Sequence, residues 1–115
     1  LLKRINKLNE NYKTRAIQAE AVKTLINSTP SPVVVCGDFN DTPSSYTYTT
    51  IKGENMTDGF RQAGSGFAGT YKGISGLFRI DYVFHSDHFR SIRYRTPETN
   101  HSDHKPVISE LVYKN

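Results

Sequence analysis

The chain has 115 residues, 36% of them hydrophobic, which suits one domain with a modest core. A formal net charge of +4 and a pI near 9.3 favour an anionic partner, whether nucleic acid, a phosphorylated small molecule or an acidic membrane surface. A single cysteine excludes an internal disulfide framework, and no apolar run approaches the roughly 18 residues of a membrane span.

The N-terminus begins Leu-Leu-Lys-Arg, without Met and without the apolar segment of a signal peptide. We therefore expect residues 1–115 to be a segment excised from a longer protein. No internal repeat or low-complexity tract interrupts it. Because targeting information could lie outside this segment, the sequence leaves the cellular compartment open.

An amphipathic helix is predicted over residues 12–27. Ile17, Ala21 and Leu25 recur at intervals of four on one helix face, and Val22 and Ile26 widen this apolar stripe. We expect that face to pack on the core. Thr14 is the predicted N-cap of the helix.

The apolar run at 33–36 predicts a buried central strand. It is too short for a helix and too uniformly apolar for a half-exposed strand. Cys36, inside this run, is interpreted as a buried apolar residue, because nothing in the sequence places a base beside it. The end of the strand delivers Gly37 and Asp38 to a loop, and the glycine allows a tight exit.

A short helix and a long loop are predicted in the middle of the chain. Residues 42–45 read Thr-Pro-Ser-Ser, a turn that leads into a helix ending near Ile51. Ser44 or Ser45 is its expected N-cap. The glycine-rich segment 53–76 is predicted to be mostly loop.

The second half of the chain is predicted to be rich in strands, at 67–71, 78–84, 89–95 and 107–113. The 78–84 segment alternates between apolar and other residues, so one face should be buried. In the 89–95 segment, Ile92 and Tyr94 are expected on the face opposite Arg93 and Arg95.

Asp38 and Asn40 follow the first predicted strand, two residues apart. Carboxylate oxygen is the preferred ligand of Mg²⁺, which retains several waters and takes further ligands from its substrate. The Asn40 amide can bind phosphate or metal without adding negative charge. By itself, however, Gly-Asp-x-Asn is more often an ordinary turn.

Asp103 and His104 place an acid and an imidazole side by side just before the last strand. Neighbouring side chains on an extended chain point to opposite sides, which suits one group facing a metal and the other facing phosphate or water. Alone, this pair would more often be a loop element.

Asp81 lies within a predicted strand, where aspartate is disfavoured and a buried carboxylate needs a partner. The natural partner is His104, because a carboxylate that accepts from one imidazole nitrogen fixes the ring and raises its basicity. A structural salt bridge from Asp81 to Arg79 or Arg15 is the alternative.

The tetrapeptide His-Ser-Asp-His occurs twice, at 85–88 and 101–104. His85 lies four residues along the strand from Asp81, roughly 13 Å away at strand rise. We therefore expect the first copy to be a solvent-exposed turn. His101 is expected at the rim of the cleft.

Three motifs stand in this order along the chain: Gly-Asp-Phe-Asn (37–40), Arg-Ile-Asp-Tyr-Val-Phe (79–84) and Ser-Asp-His-Lys-Pro-Val (102–107). In residue types and order they resemble the endonuclease/exonuclease/phosphatase superfamily. The resemblance extends from about Arg15 to the end and matches only the C-terminal half of that family. It implies an α/β (α+β) fold, half of a four-layer sandwich, with one mostly antiparallel mixed sheet flanked by helices.

The resemblance also implies a phosphoesterase that depends on Mg²⁺ or Mn²⁺. Its implied catalytic residues are Asp38, Asn40, Asp81 and His104, and its implied metal ligands are Asp38, Asn40 and Asp103. Asn40 and His104 are the implied phosphate-binding residues. Whether Asp38 or His104 takes the proton from the attacking water stays open.

The family's N-terminal half supplies an Asn, a metal-binding Glu and a central His or Tyr, and none of these can be placed here. We therefore expect the fragment to be inactive in isolation. Its expected partners are a phosphoester substrate, the missing N-terminal half and, at high concentration, a second copy of the chain.

Nucleic acid is the default substrate, and phospholipid head groups, inositol phosphates and small phosphomonoesters are the alternatives within the enzyme class. A different class of function is a non-catalytic module that binds a polyanion. The basic residues available for it are Lys3, Arg4, Lys7, Lys13 and Arg15.

Overall fold

The computed structural model describes residues 2–66, 69–72 and 78–115. In the first helix, it describes side chains from Glu10 onward. The described residues form three helices and five strands. The elements are α1 (Leu2–Ser28), β1 (Val34–Asp38), α2 (Tyr46–Lys52), β2 (Thr57–Asp58), α3 (Gly59–Ala63), β3 (Asp81–His85), β4 (Phe89–Arg95) and β5 (Ile108–Tyr113). Their mixture of helices and antiparallel strands confirms the predicted fold class.

The strands divide between two sheets rather than forming one mixed sheet. In the described residues, one sheet has the order β1-β3-β2 and the other pairs β4 with β5, and every pairing is antiparallel. Helices α1 and α2 contact each other, whereas α3 contacts both β3 and β4. The short α3 therefore connects the two sheets.

Helix α1 begins at Leu2, well before the predicted start at residue 12. Thr14 was predicted to cap the helix, but it lies inside it, where its hydroxyl donates to the Glu10 carbonyl oxygen at 2.9 Å. Threonine in a helix commonly bonds back to the preceding turn in this way. None of the helices in the described part of the chain has the length and apolar composition to cross a membrane.

The face of α1 that packs agrees with the predicted one only in part. Ile17 and Leu25 are 70% and 67% exposed, whereas Ala19 is 1% exposed. Val22 and Ile26 pack against the same core cluster as Ala19. Val22 and Ile26 belong to the predicted stripe, but its other members, Ile17 and Leu25, point to solvent, so periodicity alone did not fix the centre of the packed face. The packed set has the smallest side chain, Ala19, on the helix side that meets α2.

Strand β1 was predicted to be central and buried, but it is an edge strand among the described residues and pairs only with β3. Val35 packs against the core cluster. On the other face, Val34 is 45% exposed, and Cys36 is exposed rather than buried as predicted. The helices cover one face of β1 only, which explains the difference.

Aromatic side chains make up the centre of the core. Tyr82 and Phe84 of β3 are buried and pack against Tyr48 of α2, with ring centroids 5.2 Å apart in each pair. Phe39 joins them with its ring 4.8 Å from that of Tyr82. Because Phe39 follows β1 directly, this packing ties the loop after β1 to the core.

The predicted helix after residue 45 is confirmed. Ser45 is the N-cap of α2, and its hydroxyl accepts from the Tyr48 amide at 3.1 Å. The prediction of mostly loop for 53–76 was wrong at β2 and α3. There, Asp58 caps α3 by accepting from the Phe60 amide at 3.0 Å.

Two strand predictions need further comment. Of the edge strand expected at 67–71, residues 67–68 lie outside the described residues, and Tyr71 forms isolated bridges with Phe78 and His104. Strand β4 has the predicted bounds, but a register shift between Ser91 and Arg93 breaks its alternation. Ile92 is consequently exposed, while Ser91 is buried.

A buried ion pair links β2 to the segment before β3. Arg79 Nη1 lies 2.8 Å from Asp58 Oδ2, and the Asp58 residue is 1% exposed. The Tyr48 hydroxyl also donates to Asp58 at 2.8 Å. Burial, together with this hydrogen bond, raises the pKa of Tyr48 to about 12. The Arg79 guanidinium lies over the rings of Phe60 and Tyr82, at 4.6 and 4.9 Å from their centroids.

Removing Asp58 should destabilise the fold strongly. Asp58→Ala leaves the Arg79 charge buried without its partner, which typically costs about 3–5 kcal/mol. Tyr48→Phe removes one hydrogen bond to the same carboxylate and should cost about 1–2 kcal/mol. Urea unfolding of the two variants measures both losses. Equal losses would show that the ion pair has no special role.

Candidate active site

The pairing of β1 with β3 brings the first two motifs together. In the antiparallel register, Asp38, the last residue of β1, lies opposite Asp81, the first residue of β3. The Phe39 amide donates to the Ile80 carbonyl oxygen at 2.9 Å just beyond the strands. Two carboxylates therefore meet at one end of the sheet.

His104 lies beside both carboxylates. Its Nδ1 is 2.7 Å from Asp81 Oδ2, the contact expected from the sequence, and its Nε2 is 3.7 Å from Asp38 Oδ2. Because a carboxylate only accepts, Nδ1 carries a proton. Nε2 is left free to face Asp38.

The alternative partners of Asp81 are engaged elsewhere. Arg79 pairs with Asp58, and Arg15 Nε lies 3.2 Å from Asp41 Oδ2. The salt-bridge alternative for Asp81 is therefore not what the structure contains.

The turn after β1 orients the Asp38 carboxylate. Asp38 Oδ1 accepts from the backbone amide of Asn40 at 2.8 Å, and Oδ2 is the oxygen that faces His104. Asn40 has a φ of 53°, in the left-handed region that asparagine tolerates better than most residues. Gly37, with a φ of 155°, adopts a backbone conformation that other residues rarely adopt.

Asn40, Asp103 and His104 line one open pocket of about 540 Å³, together with Tyr71 and Phe78. The Asp103 side chain is exposed at this pocket. The structure thus brings the predicted metal ligands together in pairs, with Asn40 and Asp103 at this pocket and Asn40 and Asp38 at a second, neighbouring one.

Comparison with known proteins identifies the same family as the three sequence motifs. The sequence profile of the Endonuclease/Exonuclease/phosphatase family matches residues 8–104. The chain belongs to this family. The resemblance is thereby confirmed, although the match begins before the expected Arg15 and ends at His104 instead of at the end of the chain. A comparison with curated proteins found no match.

Several solved structures share the fold. An endonuclease/exonuclease/phosphatase from Bacteroides vulgatus is 26% identical, with a TM-score of 0.76, over 89% of this chain and 45% of that one. A mannosyl-6-phosphatase from Bacteroides thetaiotaomicron is also 26% identical, with a TM-score of 0.70, over 88% and 46%. A functionally unknown conserved protein from Enterococcus faecalis, 17% identical, has a TM-score of 0.77 over 90% and 46%, a likeness of fold alone. The chain spans less than half the length of these relatives.

Members of the Endonuclease/Exonuclease/phosphatase family generally depend on a divalent metal. One ligand atom each from Asp38, Asp81 and His104 lies within 4.8 Å of the other two, a spacing that could hold an ion. Asp81, however, already accepts from His104. Asp38 therefore has the freer carboxylate, and Asn40 and Asp103 add further oxygen donors nearby. This oxygen-rich set fits a hard cation such as Mg²⁺.

Neighbouring carboxylates stabilise the protonated form of His104. The hydrogen bond to Asp81 raises the pKa of His104 most. Partial burial opposes this effect, and the charges of Asp81, Asp38 and Asp103 reinforce it. His104 therefore retains its second proton to a higher pH than a free histidine.

The second copy of His-Ser-Asp-His does not form a comparable site. Asp87 and His88 lie in an exposed turn as predicted, but His85 is buried, contrary to the prediction. Its ring nitrogens lie 2.9 Å from the Ser86 carbonyl oxygen and 3.1 Å from Gln62 Oε1. These contacts explain its burial.

His101 was expected at the rim of the cleft. It is exposed and lines a separate pocket with Glu98, Thr99 and Asn100.

Sequence reasoning missed Asp41, which holds the loop that carries Asn40. The Asp41 carboxylate accepts from Arg15 and Thr47, at 3.2 and 3.4 Å. Its carbonyl oxygen lies 2.7 Å from the Tyr82 hydroxyl. The only available sequence signal was a second acid directly after Gly-Asp-Phe-Asn.

Asp81→Asn should lower the pKa of His104, because the substitution removes the Asp81 charge and replaces the carboxylate acceptor, whose hydrogen bond raises that pKa most, with a neutral and weaker amide oxygen. Asp103→Asn removes the weakest of the contributing charges and should lower the pKa less. Imidazole NMR titration in a metal-free buffer measures both. An Asp81→Asn change no larger than that of Asp103→Asn would contradict the assigned hydrogen bond.

Proposed function

We propose that this chain is the C-terminal half of a phosphoesterase that requires Mg²⁺ or Mn²⁺. The observation that carries this proposal is the position of His104, held by Asp81 on one ring nitrogen and facing Asp38 with the other. Family membership supports phosphoester chemistry, because the family includes phosphatases, one of them the mannosyl-6-phosphatase.

The raised pKa of His104 favours its protonated form, so its Nε2–H can donate to a phosphate oxygen in the pocket and stabilise negative charge in the transition state. Asp81 keeps the ring in this orientation. Asp38 Oδ2 is then the acceptor available for the proton of an attacking water. Asn40 can donate from its side-chain amide to the phosphate. Asp38, Asn40 and Asp103 would hold the divalent cation, which would neutralise charge on the phosphate and the leaving oxygen.

A nucleic-acid phosphodiester remains the default substrate in this proposal, because the net charge of +4 favours a polyanion. A sugar phosphomonoester is the second candidate, since one structural relative is a mannosyl-6-phosphatase. Assays with single-stranded and duplex DNA, RNA and mannose 6-phosphate distinguish these substrates directly.

The non-catalytic alternative relies on basic residues of α1. The structure describes two of their side chains, and Arg15 is paired with Asp41 and lies over the Tyr12 ring, 5.1 Å from its centroid. Lys13 is exposed. Tight polyanion binding that neither Mg²⁺ nor Asp103→Ala changes would favour this alternative. The structure does not describe the side chains of the other three basic residues, Lys3, Arg4 and Lys7.

In the full-length protein, His104→Ala and Asp38→Ala should each lower kcat by about 10²–10³, because each removes a group that stabilises charge in the transition state. His88→Ala is the matched control: the same substitution in the exposed copy of the motif should leave kcat unchanged. Steady-state hydrolysis with saturating Mg²⁺ provides the measurement. Turnover like that of the unsubstituted protein in His104→Ala would refute the site.

We also propose that the open side of β1 is where the N-terminal half packs. Val34 and Cys36 are exposed there, and the outer backbone edge of β1 has no strand partner among the described residues. Exposed apolar patches and free strand edges both recruit partners. A second copy of this chain is the nearest substitute for the missing half.

The isolated chain should therefore form dimers at high concentration and show no hydrolysis. Val34→Asp, which places a charge on the exposed face of β1, should shift the dimer towards monomer without unfolding it. Light scattering at several concentrations, with circular dichroism as the folding control, measures this. A cooperatively folding monomer at every concentration would contradict the proposed interface.

A further inference from the structure

Thr70 lies between the segment that carries Asp81 and the segment that carries His104, and it is 0% exposed. Its hydroxyl oxygen accepts two backbone amides, from Ile80 at 2.9 Å and from Asp81 at 3.1 Å. Its own carbonyl oxygen accepts from the Lys105 amide at 2.6 Å. One buried residue thus bonds to both sides of the Asp81–His104 contact.

Neighbouring backbone bonds keep Thr70 in place. The Thr70 and Tyr71 amides both donate to the Phe78 carbonyl oxygen, at 2.9 and 3.1 Å. On the other side, the Lys72 amide donates to the Asp103 carbonyl oxygen at 2.7 Å. The segment around Thr70 therefore lies between the second and third motifs and is bonded to each.

The hydroxyl is the part of Thr70 that acts on Asp81. The Asp81 amide is at the first residue of β3, and it points to the Thr70 side chain instead of a backbone acceptor. The Asp81 carboxylate, on the same residue, lies 2.7 Å from His104 Nδ1. Protein N–H···O hydrogen bonds span about 2.7–3.2 Å, so a backward shift of Asp81 by about 1 Å would take this contact out of that range.

We propose that Thr70 is a positioning residue for the reaction: its hydroxyl holds the Asp81 backbone, and its carbonyl oxygen holds the chain after His104, so that Asp81 meets His104 Nδ1 in the orientation that leaves Nε2 facing Asp38. This inference rests on the proposed phosphoesterase function. Misplacement by about 1 Å can lower a rate by about a hundredfold even without contact with the substrate.

Three substitutions in the full-length protein separate the hydroxyl from the rest of the side chain. Thr70→Val keeps the shape and removes the acceptor, and it should lower kcat by about 10- to 100-fold with KM changed less than about threefold. Thr70→Ser keeps the acceptor and should retain kcat within about threefold. Ser45→Ala, the matched control, removes a hydroxyl–amide bond at the cap of α2 and should leave kcat unchanged.

A second readout does not require activity. The His104 Nδ1 proton, bonded to Asp81, should give a downfield NMR resonance in the unsubstituted protein and in Thr70→Ser, and this resonance should shift upfield or disappear in Thr70→Val. If the unsubstituted full-length protein hydrolyses no phosphoester, the proposed function fails, whereas this resonance still tests the positioning.

Two results would overturn the proposal. One is a folded Thr70→Val protein with unchanged kcat and an unchanged Nδ1 resonance. The other is a Thr70→Ser protein as impaired as Thr70→Val, which would assign the effect to packing of the methyl group. If Thr70→Val does not fold, Thr70→Cys replaces it with the same expectations, because a thiol is a weak acceptor.

Discussion

Two carboxylates opposite each other at the end of a sheet are the constraint on which this site depends. Like charges directly across an antiparallel pair repel, so the register that places Asp38 opposite Asp81 has an energetic cost. His104 offsets it by lying beside both acids and by taking up a proton more readily than a free histidine. Both carboxylates attract the protonated imidazole and thereby hold it in place. The same negative field suits a bound divalent cation.

The register is supported from the core by a second charge pair. Arg79, two residues before Asp81, is fixed by buried Asp58. The Tyr82 hydroxyl lies 2.7 Å from the carbonyl oxygens of both Arg79 and Asp41. The loop after β1 and the segment before β3 thus share one buried anchor. A buried ion pair contributes little net stability against an apolar substitute, but the loss of either partner leaves a buried charge unpaired, so the two segments depend on both Asp58 and Arg79.

The sequence could predict what depends on local chemistry. An acid in a strand needs a partner, and this reasoning found the Asp81–His104 contact. It placed Val22 and Ile26 on the packed face of α1 correctly but could not centre that face on Ala19 instead of Ile17, because the neighbouring stripes have the same helical period and only the approach of α2 separates them. It could not foresee the exposure of Ile92 either, since a register shift leaves no mark on alternation. Long-range packing decided each case.

The strand that is least covered is also the one that carries Asp38. Strand β1 has one partner strand among the described residues, and the side chains leading to Asp38 are exposed on its outer face. Whatever packs there in the proposed full-length protein would order β1 and, with it, the Asp38 carboxylate. Linkage makes this coupling reciprocal: if docking of the N-terminal half favours the geometry that binds a cation at Asp38, the cation strengthens the docking by the same factor. Completing the fold and completing the site would then be one equilibrium, and on this proposal the isolated half would hold Asp81 and His104 together without being active.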